Sequence, residues 1–335
     1  MENSYKVYGG EIQIYGDLHL SCIYEGQHIN YTKECYHNMD NIIKKVRDSK
    51  ASAVFLLGDV IGVNERNTRD RQFLMRIYLF FQTLNELTGG NVFAVKGNHD
   101  KGDFSDFDFF IGIGLLKNPS YVDYYGSNDE DSLEVRFHFI NYGEETRELE
   151  MNIEDDYSNV VLGHADYTID GVTNWYQHKG GVNLSRLTNF AGVDLVISGH
   201  IHNPSEEILT TTIKGQYPIG LFYTGSPSRT AERFNDCWYM KFEFDGESTK
   251  YDAELFGLSP ADEVFYPKED IINEGDEDEL DLARESESLT NIVKEIMEGR
   301  MTNGDLFAQV RAVPGANDEV KNIACSYLQK AIDNK

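Results

Sequence analysis

An α/β layered fold is predicted by three observations. Short apolar runs end in Gly-Asp or Gly-Asn, segments of helical length lie between those runs, and strand-like runs dominate the second half of the chain. Glu11 to Tyr15, Ala53 to Leu57 and Val92 to Val95 have the length and bounding residues of buried strands. Tyr31 to Ser49, with apolar Ile42, Ile43 and Val46, and Arg71 to Leu87, with Phe73, Leu74, Ile77, Tyr78, Phe81 and Leu84, repeat apolar residues at helical spacing. The order strand, helix, strand, helix, strand predicts parallel pairing. Val160 to Leu162, Val193 to Ser198, Leu221 to Thr224 and the alternating stretch Cys237 to Phe244 follow, with turn residues between them, and predict a second sheet packed on the first.

The character changes after about Gly257. Glu274 to Asp281 is too charged to pack, so residues 258–282 are expected to form an acidic linker. Beyond it, Leu289, Ile292, Val293 and Ile296 and then Val320, Ile323, Ala324, Leu328 and Ile332 recur at helical spacing with Gly and Pro breaks between the two sets, which predicts a small helical hairpin over 283–335. At 335 residues and 40% hydrophobic content the chain can build one large core, placed at 1–257, and this appendage.

Composition narrows the function classes. A formal charge of -27 argues against a surface that grips nucleic acid by neutralising phosphates. It does not exclude a phosphate substrate, because bound cations can reverse the local field. No apolar run reaches membrane-spanning length, and MENSYKVYGG has neither a basic nor an apolar leader region, so a cytoplasmic protein without membrane contact is expected. Cys22, Cys35, Cys237 and Cys325 show no CxxC or zinc-type spacing, which fits reduced thiols.

Residue types that ligate metals recur at the C-terminal ends of the apolar runs, where open α/β sheets place their ligands. The places are Gly16-Asp17-Leu18-His19, Gly58-Asp59, Gly97-Asn98-His99-Asp100, Gly163-His164 and Gly199-His200-Ile201-His202. Asp, His and an Asn carbonyl form a mixed oxygen and nitrogen shell that suits Mn²⁺, Fe²⁺ or Zn²⁺ rather than Ca²⁺. Two such cations can share one carboxylate, for which Asp59 is the natural bridge, and act on both the attacking and leaving oxygens of a phosphoryl centre. A glycine before each ligand permits a sharp turn and keeps bulk away. Each motif alone is commonplace, and an isolated His beside a strand is more often core than ligand; their number, order and context reverse that. His28, His37, His138 and His178 fall outside any motif and read as ordinary structural histidines, although His28 and His178 could border the cleft. The aromatic segment Phe104 to Phe110 reads as packing.

In this order, D-x-H, G-D, G-N-H-D, G-H and G-H-x-H over Asp17 to His202 resemble the signature of calcineurin-like metallophosphoesterases. The resemblance implies an α/β, four-layer metallophosphoesterase β-sandwich flanked by helices, with two divalent cations. It assigns one cation to Asp17, His19, Asp59 and His202 and the other to Asp59, Asn98, His164 and His200. Mn²⁺ is the first choice, with Fe²⁺, Zn²⁺ or Mg²⁺ left open. His99 is then uncoordinated and placed at the leaving oxygen of an in-line displacement, and Asp100 is expected to orient it.

Within that superfamily the opening D-L-H-L, the phrase Val92 to Asp100 and Phe222 to Arg229, above all Gly225-Ser226-Pro227, resemble the nuclease subunit of the SbcCD type. That likeness implies DNA as substrate and an SbcC-type coiled-coil ATPase as partner, docked through the C-terminal helices. Too little chain separates the main domain from the hairpin for a full DNA-contacting cap, and the acidic tail is opposite to what direct DNA binding asks for. A stand-alone phosphodiesterase or phosphatase acting on nucleotides or small phosphoesters is the alternative enzyme. A non-catalytic scaffold of the same fold is the alternative from another class, against which intact Asp17, His19, Asn98 and His99 argue. Whether the chain forms a homodimer is left open.

Overall fold

Three parallel strands are buried along their whole length because they are covered on both faces. In a computed structural model the described residues are 4–21, 31–61, 71–100, 105–126, 133–150, 157–169, 181–205, 207–227, 238–244 and 249–256. In chain order the elements are β1 (Ser4–Tyr8), β2 (Ile12–Tyr15), α1 (Tyr31–Ser49), β3 (Ala53–Leu57), α2 (Arg71–Thr88), β4 (Val92–Val95), α3 (Asp106–Gly112), β5 (Tyr121–Tyr125), β6 (Leu133–Ile140), β7 (Ser158–His164), β8 (Tyr167–Thr168), β9 (Val182–Asn183), β10 (Leu195–Gly199), β11 (Leu209–Ile213), β12 (Tyr217–Tyr223), β13 (Trp238–Phe244) and β14 (Thr249–Leu255). The two larger sheets have the orders β14-β13-β2-β3-β4 and β1-β5-β6-β7-β10-β12-β11, and β8 and β9 pair as a separate two-stranded ribbon. The pairs β2-β3 and β3-β4 are parallel, as the strand-helix alternation predicts.

The strand period of two explains the layering. In β3, Val54 and Leu56 face a core shared with α1 and α2, while Ala53, Phe55 and Leu57 face the second sheet. In β4, Val92 and Ala94 take the helix side and Phe93 and Val95 the sheet side. Across that inner layer stand Phe137 and Phe139 of β6, Val160 and Leu162 of β7, and Leu195 and Ile197 of β10. The helices supply matching stripes: Cys35, Met39, Ile42 and Val46 on α1, and Phe73, Ile77, Phe80, Phe81 and Leu84 on α2, are all buried.

The outer face of the larger sheet packs Val161, Val196, Leu221 and Tyr223 against Leu184, Leu187 and Phe190. The last group lies in and between two 3₁₀ turns, Leu184–Arg186 and Thr188–Phe190. Among the described residues this flank therefore carries turns and no α-helix, and the expected helical covering is seen on the other flank only. Phe107 and Phe110 of α3 are buried, in keeping with a packing role for that aromatic segment. The described residues all belong to a unit Met1–Glu277; the second unit, Asp278–Lys335, with the expected hairpin at 283–335, and the expected linker at 258–282 lie outside the described residues. Among the described residues no helix is long and apolar enough to cross a membrane.

Candidate metal centre

Strands β2, β3 and β4 of one sheet and β7 and β10 of the other present their C-terminal ends at the residues singled out above. Asp17 and His19 follow β2, Asp59 follows β3, Asn98 and His99 follow β4, His164 ends β7, and His200 and His202 follow β10. The structure brings these residues into one cluster. Asp17, His19 and His202 form one group whose donor atoms all lie within 4.8 Å of one another, and Asp59, His164 and His200 form a second.

Asp59 joins the groups: its Oδ2 lies 3.2 Å from His164 Nε2, 3.9 Å from His19 Nε2 and 3.7 Å from His99 Nε2. Asn98 Oδ1 completes the second group, 2.9 Å from His164 Nε2 and 3.0 Å from His200 Nδ1. His99, its side chain 35% exposed, belongs to neither group. It sits edge-on to His19, with ring centroids 5.7 Å apart.

Local backbone strain accompanies these positions. Asp17, His19, Asp59 and His200 have φ of 39°, 43°, 44° and 76°, a region L-residues rarely adopt. Such strain persists only where the surroundings over-determine it, and here they do. Tyr31 Oη donates to the His19 carbonyl at 2.9 Å, Ser226 Oγ donates to the Asp17 carbonyl at 2.8 Å, and the His19 amide donates to the Asp59 carbonyl at 2.8 Å. The His200 amide donates to both Asp17 oxygens, at 2.9 and 3.0 Å. Gly58 and Gly97 are required for different reasons. Gly58 has φ +79°, and a β-carbon on Gly97 would fall on the Asp59 carboxylate and amide nitrogen.

Asp100 departs from its expected role. Its buried carboxylate accepts from the amides of Gly97 (2.9 Å), Val60 (3.3 Å) and Ile61 (3.3 Å), so it ties the loop of Asn98 and His99 to the loop of Asp59. It is a positioning residue for two loops, and its hydrogen bonds do not go to the His99 ring. The reason is the adjacency of β3 and β4, which leaves orphan amides where their loops diverge.

Burial and mutual charge place opposing demands on the groups of the cluster. Burial pushes Asp17 up to about 8, against the pull of His164. Asp59 is held well below the usual carboxylate range: burial opposes this, but the His164 hydrogen bond and charge prevail. His164 is raised to about 9, burial again opposing and the two carboxylates prevailing. Burial and His202 drive His19 down to about 3. The second group also has a polarity conflict. His164 Nδ1 lies 2.7 Å from the Leu57 carbonyl and must donate to it, which leaves Nε2 facing two acceptors, Asp59 Oδ2 and Asn98 Oδ1. Only a proton or a cation satisfies that arrangement, and a backbone carbonyl holding the far nitrogen is the usual support of a metal-bound imidazole. Carboxylates, imidazoles and one amide oxygen, with no thiolate, fit a pair of divalent cations.

Sequence reasoning missed Tyr31, Tyr142 and the Leu57 carbonyl, and it singled out Ser226 only as part of a resemblance. Ser226 and Tyr31 hold the strained turn of Asp17 and His19. Tyr142 stands beside His200, with ring centroids 5.7 Å apart. Its signal was available in the run Val135 to Ile140, an apolar alternation ending in Asn-Tyr-Gly. Of the other histidines, His138 is buried against Asn159 and His37 lies half-buried on α1, while His28 and His178 are outside the described residues.

A family model described as calcineurin-like phosphoesterase matches residues 11–204, which spans every candidate ligand. No curated protein matches the chain. Among solved structures, a dimetal phosphatase from Danio rerio is 10% identical, with 74% of this chain and 97% of that chain covered at a TM-score of 0.43. Yfce, a phosphoesterase from E. coli, is 17% identical, with 70% and 89% covered at 0.34. Vps29 from Entamoeba histolytica, complexed with Zn²⁺, is 12% identical, with 74% and 99% covered at 0.34.

Proposed function

The chain belongs to the calcineurin-like phosphoesterase family, and from that premise we propose that it is a two-metal phosphodiesterase, acting as the nuclease subunit of a DNA-processing complex of SbcCD type. The observation that carries the phosphodiesterase reading is Asp59. Its carboxylate stands between two ligand groups, with His99, a member of neither, 3.7 Å away. Asp17, His19, Asp59 and His202 would hold one cation, and Asp59, Asn98, His164 and His200 the other. When bound, the pair would supply Lewis-acid activation of water and neutralise charge on the phosphoryl oxygens.

The chain's own groups do the rest. Asp59 and Asp17 supply the negative charge that selects cations. Asn98 and the histidines fix where the phosphoryl group sits. His99, partly exposed beside Asp59, would hold or give a proton at the leaving oxygen. Asp100, through three amides, keeps the loops of Asp59 and His99 in one register.

The nuclease reading is supported by the motif resemblance, including Gly225-Ser226-Pro227, whose serine lies against Asp17 in the site itself. In this reading a coiled-coil ATPase supplies the grip on DNA that a chain of net charge -27 does not. The same charge favours a second reading, a phosphodiesterase of nucleotides or small esters. The test is Mn²⁺-dependent cleavage of end-labelled single- and double-stranded DNA beside bis(4-nitrophenyl) phosphate, by wild type and His99→Ala. DNA cleavage lost in the variant supports the nuclease. Cleavage of the small ester alone, unchanged when a coiled-coil ATPase is supplied, selects the second reading, and inertness toward both with metal bound overturns the enzyme.

A further inference from the structure

Strand β4 is the outermost strand of its sheet, with β3 as its neighbour on one side. The loop Gly97-Asn98-His99 leaves from that strand, and the backbone groups on its open side need partners from elsewhere. At the start of the strand a single extended segment supplies them: the Lys117 amide donates to the Val92 carbonyl at 3.1 Å, and the Ala94 amide donates to the Lys117 carbonyl at 2.8 Å. Side-chain amides then take over. Asn118 Nδ2 donates to the Ala94 carbonyl at 2.7 Å, and the Lys96 amide donates to Asn141 Oδ1 at 2.8 Å. The Tyr142 amide closes the series at the Lys96 carbonyl, at 2.9 Å.

Asn118 and Asn141 hold one another. Asn118 Nδ2 donates to Asn141 Oδ1 at 2.8 Å, and Asn141 Nδ2 donates to Asn118 Oδ1 at 3.2 Å and to Glu144 Oε2 at 3.3 Å. The Asn141 oxygen is thereby fixed where the Lys96 amide meets it, two residues before Asn98. On the β3 side the same loop is held by carboxylates of the site, the Gly97 amide donating to Asp100 Oδ2 and the His99 amide to Asp59 Oδ1, both at 2.9 Å. The loop is thus clamped from two sides, by acidic groups of the centre on one and by an amide outside both ligand groups on the other. Asn98 Oδ1 belongs with the second group, 2.9 Å from His164 Nε2 and 3.0 Å from His200 Nδ1. Asp17, His19 and His202 of the first group come from other loops.

We propose that Asn141 is a positioning residue for the second cation: its side-chain oxygen takes the place of a neighbouring strand at the edge of β4 and sets where Asn98 presents its own oxygen to the metal. The inference rests on the two-metal reading. Groups that orient a ligand without touching the metal commonly change metal affinity about tenfold to a hundredfold when removed. Because the Asn98 loop serves the second group, that loss falls on one cation of the pair.

Titration of the chelator-treated full chain with Mn²⁺, followed by calorimetry and by elemental analysis, reads the two cations separately. Wild type is expected to take up both. Asn141→Ala is expected to bind the first as wild type does and the second about tenfold to a hundredfold more weakly. Asn141→Asp keeps the oxygen that accepts from Lys96 and Asn118 and forfeits only the Nδ2 bonds, so it is expected to bind both cations as wild type does. Asn118→Ala, which removes the donor that holds the Asn141 oxygen in line, carries the same comparison should Asn141→Ala fail to fold. Equal weakening of both cations marks a general structural role and overturns the proposal. So does an unchanged second step in Asn141→Ala, or a loss in Asn141→Asp as large as that in Asn141→Ala. A wild-type chain that takes up fewer than two Mn²⁺ overturns the two-metal reading and this inference with it.

Discussion

The Nε2 atoms of His19 and His202 lie 2.9 Å apart, each at the end of a loop leaving a different sheet. Either one ring donates to the other or both lone pairs converge on a cation, and His19, driven down to about 3 by burial and by His202, resists being the protonated member. Two neutral imidazole nitrogens directed at one another in this way also suit a shared cation. Metal is expected to stabilise the folded chain by mass action, about 2.7 kcal/mol at a hundredfold excess over Kd. Thermal unfolding of chelator-treated protein, with and without added Mn²⁺, reads this directly; an unchanged Tm would show that the cluster holds no ion.

His99 and Asp59 separate chemistry from metal binding. His99→Ala removes a ring outside both ligand groups and is expected to keep wild-type metal content while losing about 10² to 10⁴ in kcat. Asp59→Ala removes the carboxylate that joins the groups and is expected to lose metal as well as turnover. Metal content by elemental analysis beside steady-state kinetics distinguishes the two, and equal metal loss in both variants contradicts the assignment.

Gly97→Ala probes how tightly the loops are packed. The new β-carbon would fall on the Asp59 carboxylate and amide, so the loop or the ligand must move. A loss of about 3 kcal/mol is expected, together with weaker metal binding. Gly112→Ala, with nothing within 4 Å of its β-carbon, is the control. It closes α3 and is expected to be neutral or stabilising by up to about 1 kcal/mol. Urea unfolding of the two variants measures the contrast.

The parallel core β2-β3-β4 and the candidate ligand positions were legible because both signals are local. β3 and β4 are continuous apolar runs, covered on both faces, and each candidate ligand motif follows a strand end and opens on a glycine. The alternating stretch ending at Phe244 was expected in the second sheet but, as β13, pairs antiparallel with β2 of the first, a long-range pairing that alternation cannot reveal. Strand β6 was passed over although Val135, Phe137 and Phe139 alternate with Arg136 and His138, because those polar residues read as a solvated face and not as one enclosed within a sheet. Their partners are Asp123 and Asn159 on the neighbouring strands, which no local pattern announces. β1 and β14, at sheet edges, bury too little to leave a signal. Tyr142 was lost with β6, and Asp100 was misread because amide hydrogen bonds between two loops require knowing that the loops are adjacent.

His138 makes the stability of the chain depend on pH away from the metal centre. It is buried at the middle of β6 with Nε2 3.0 Å from Asn159 Oδ1. Burial lowers it to about 4; the Asn159 hydrogen bond and Asp123 oppose the shift, and Arg136 and Arg147 add to it. Folded His138 therefore stays neutral while the unfolded residue takes a proton below about 6.5. Between these values the unfolded state binds more protons, so stability is complete above about pH 6.5 and is lost as pH falls toward 4. The loss due to this residue is about 2 kcal/mol at pH 5. His138→Gln keeps a donor for Asn159 and cannot titrate. In metal-free protein, the stability of wild type relative to this variant is expected to fall by about that amount between pH 7.5 and 5. A pH-independent difference in urea unfolding would mean that His138 titrates in the fold as it does in the unfolded chain, so that burial does not hold it neutral.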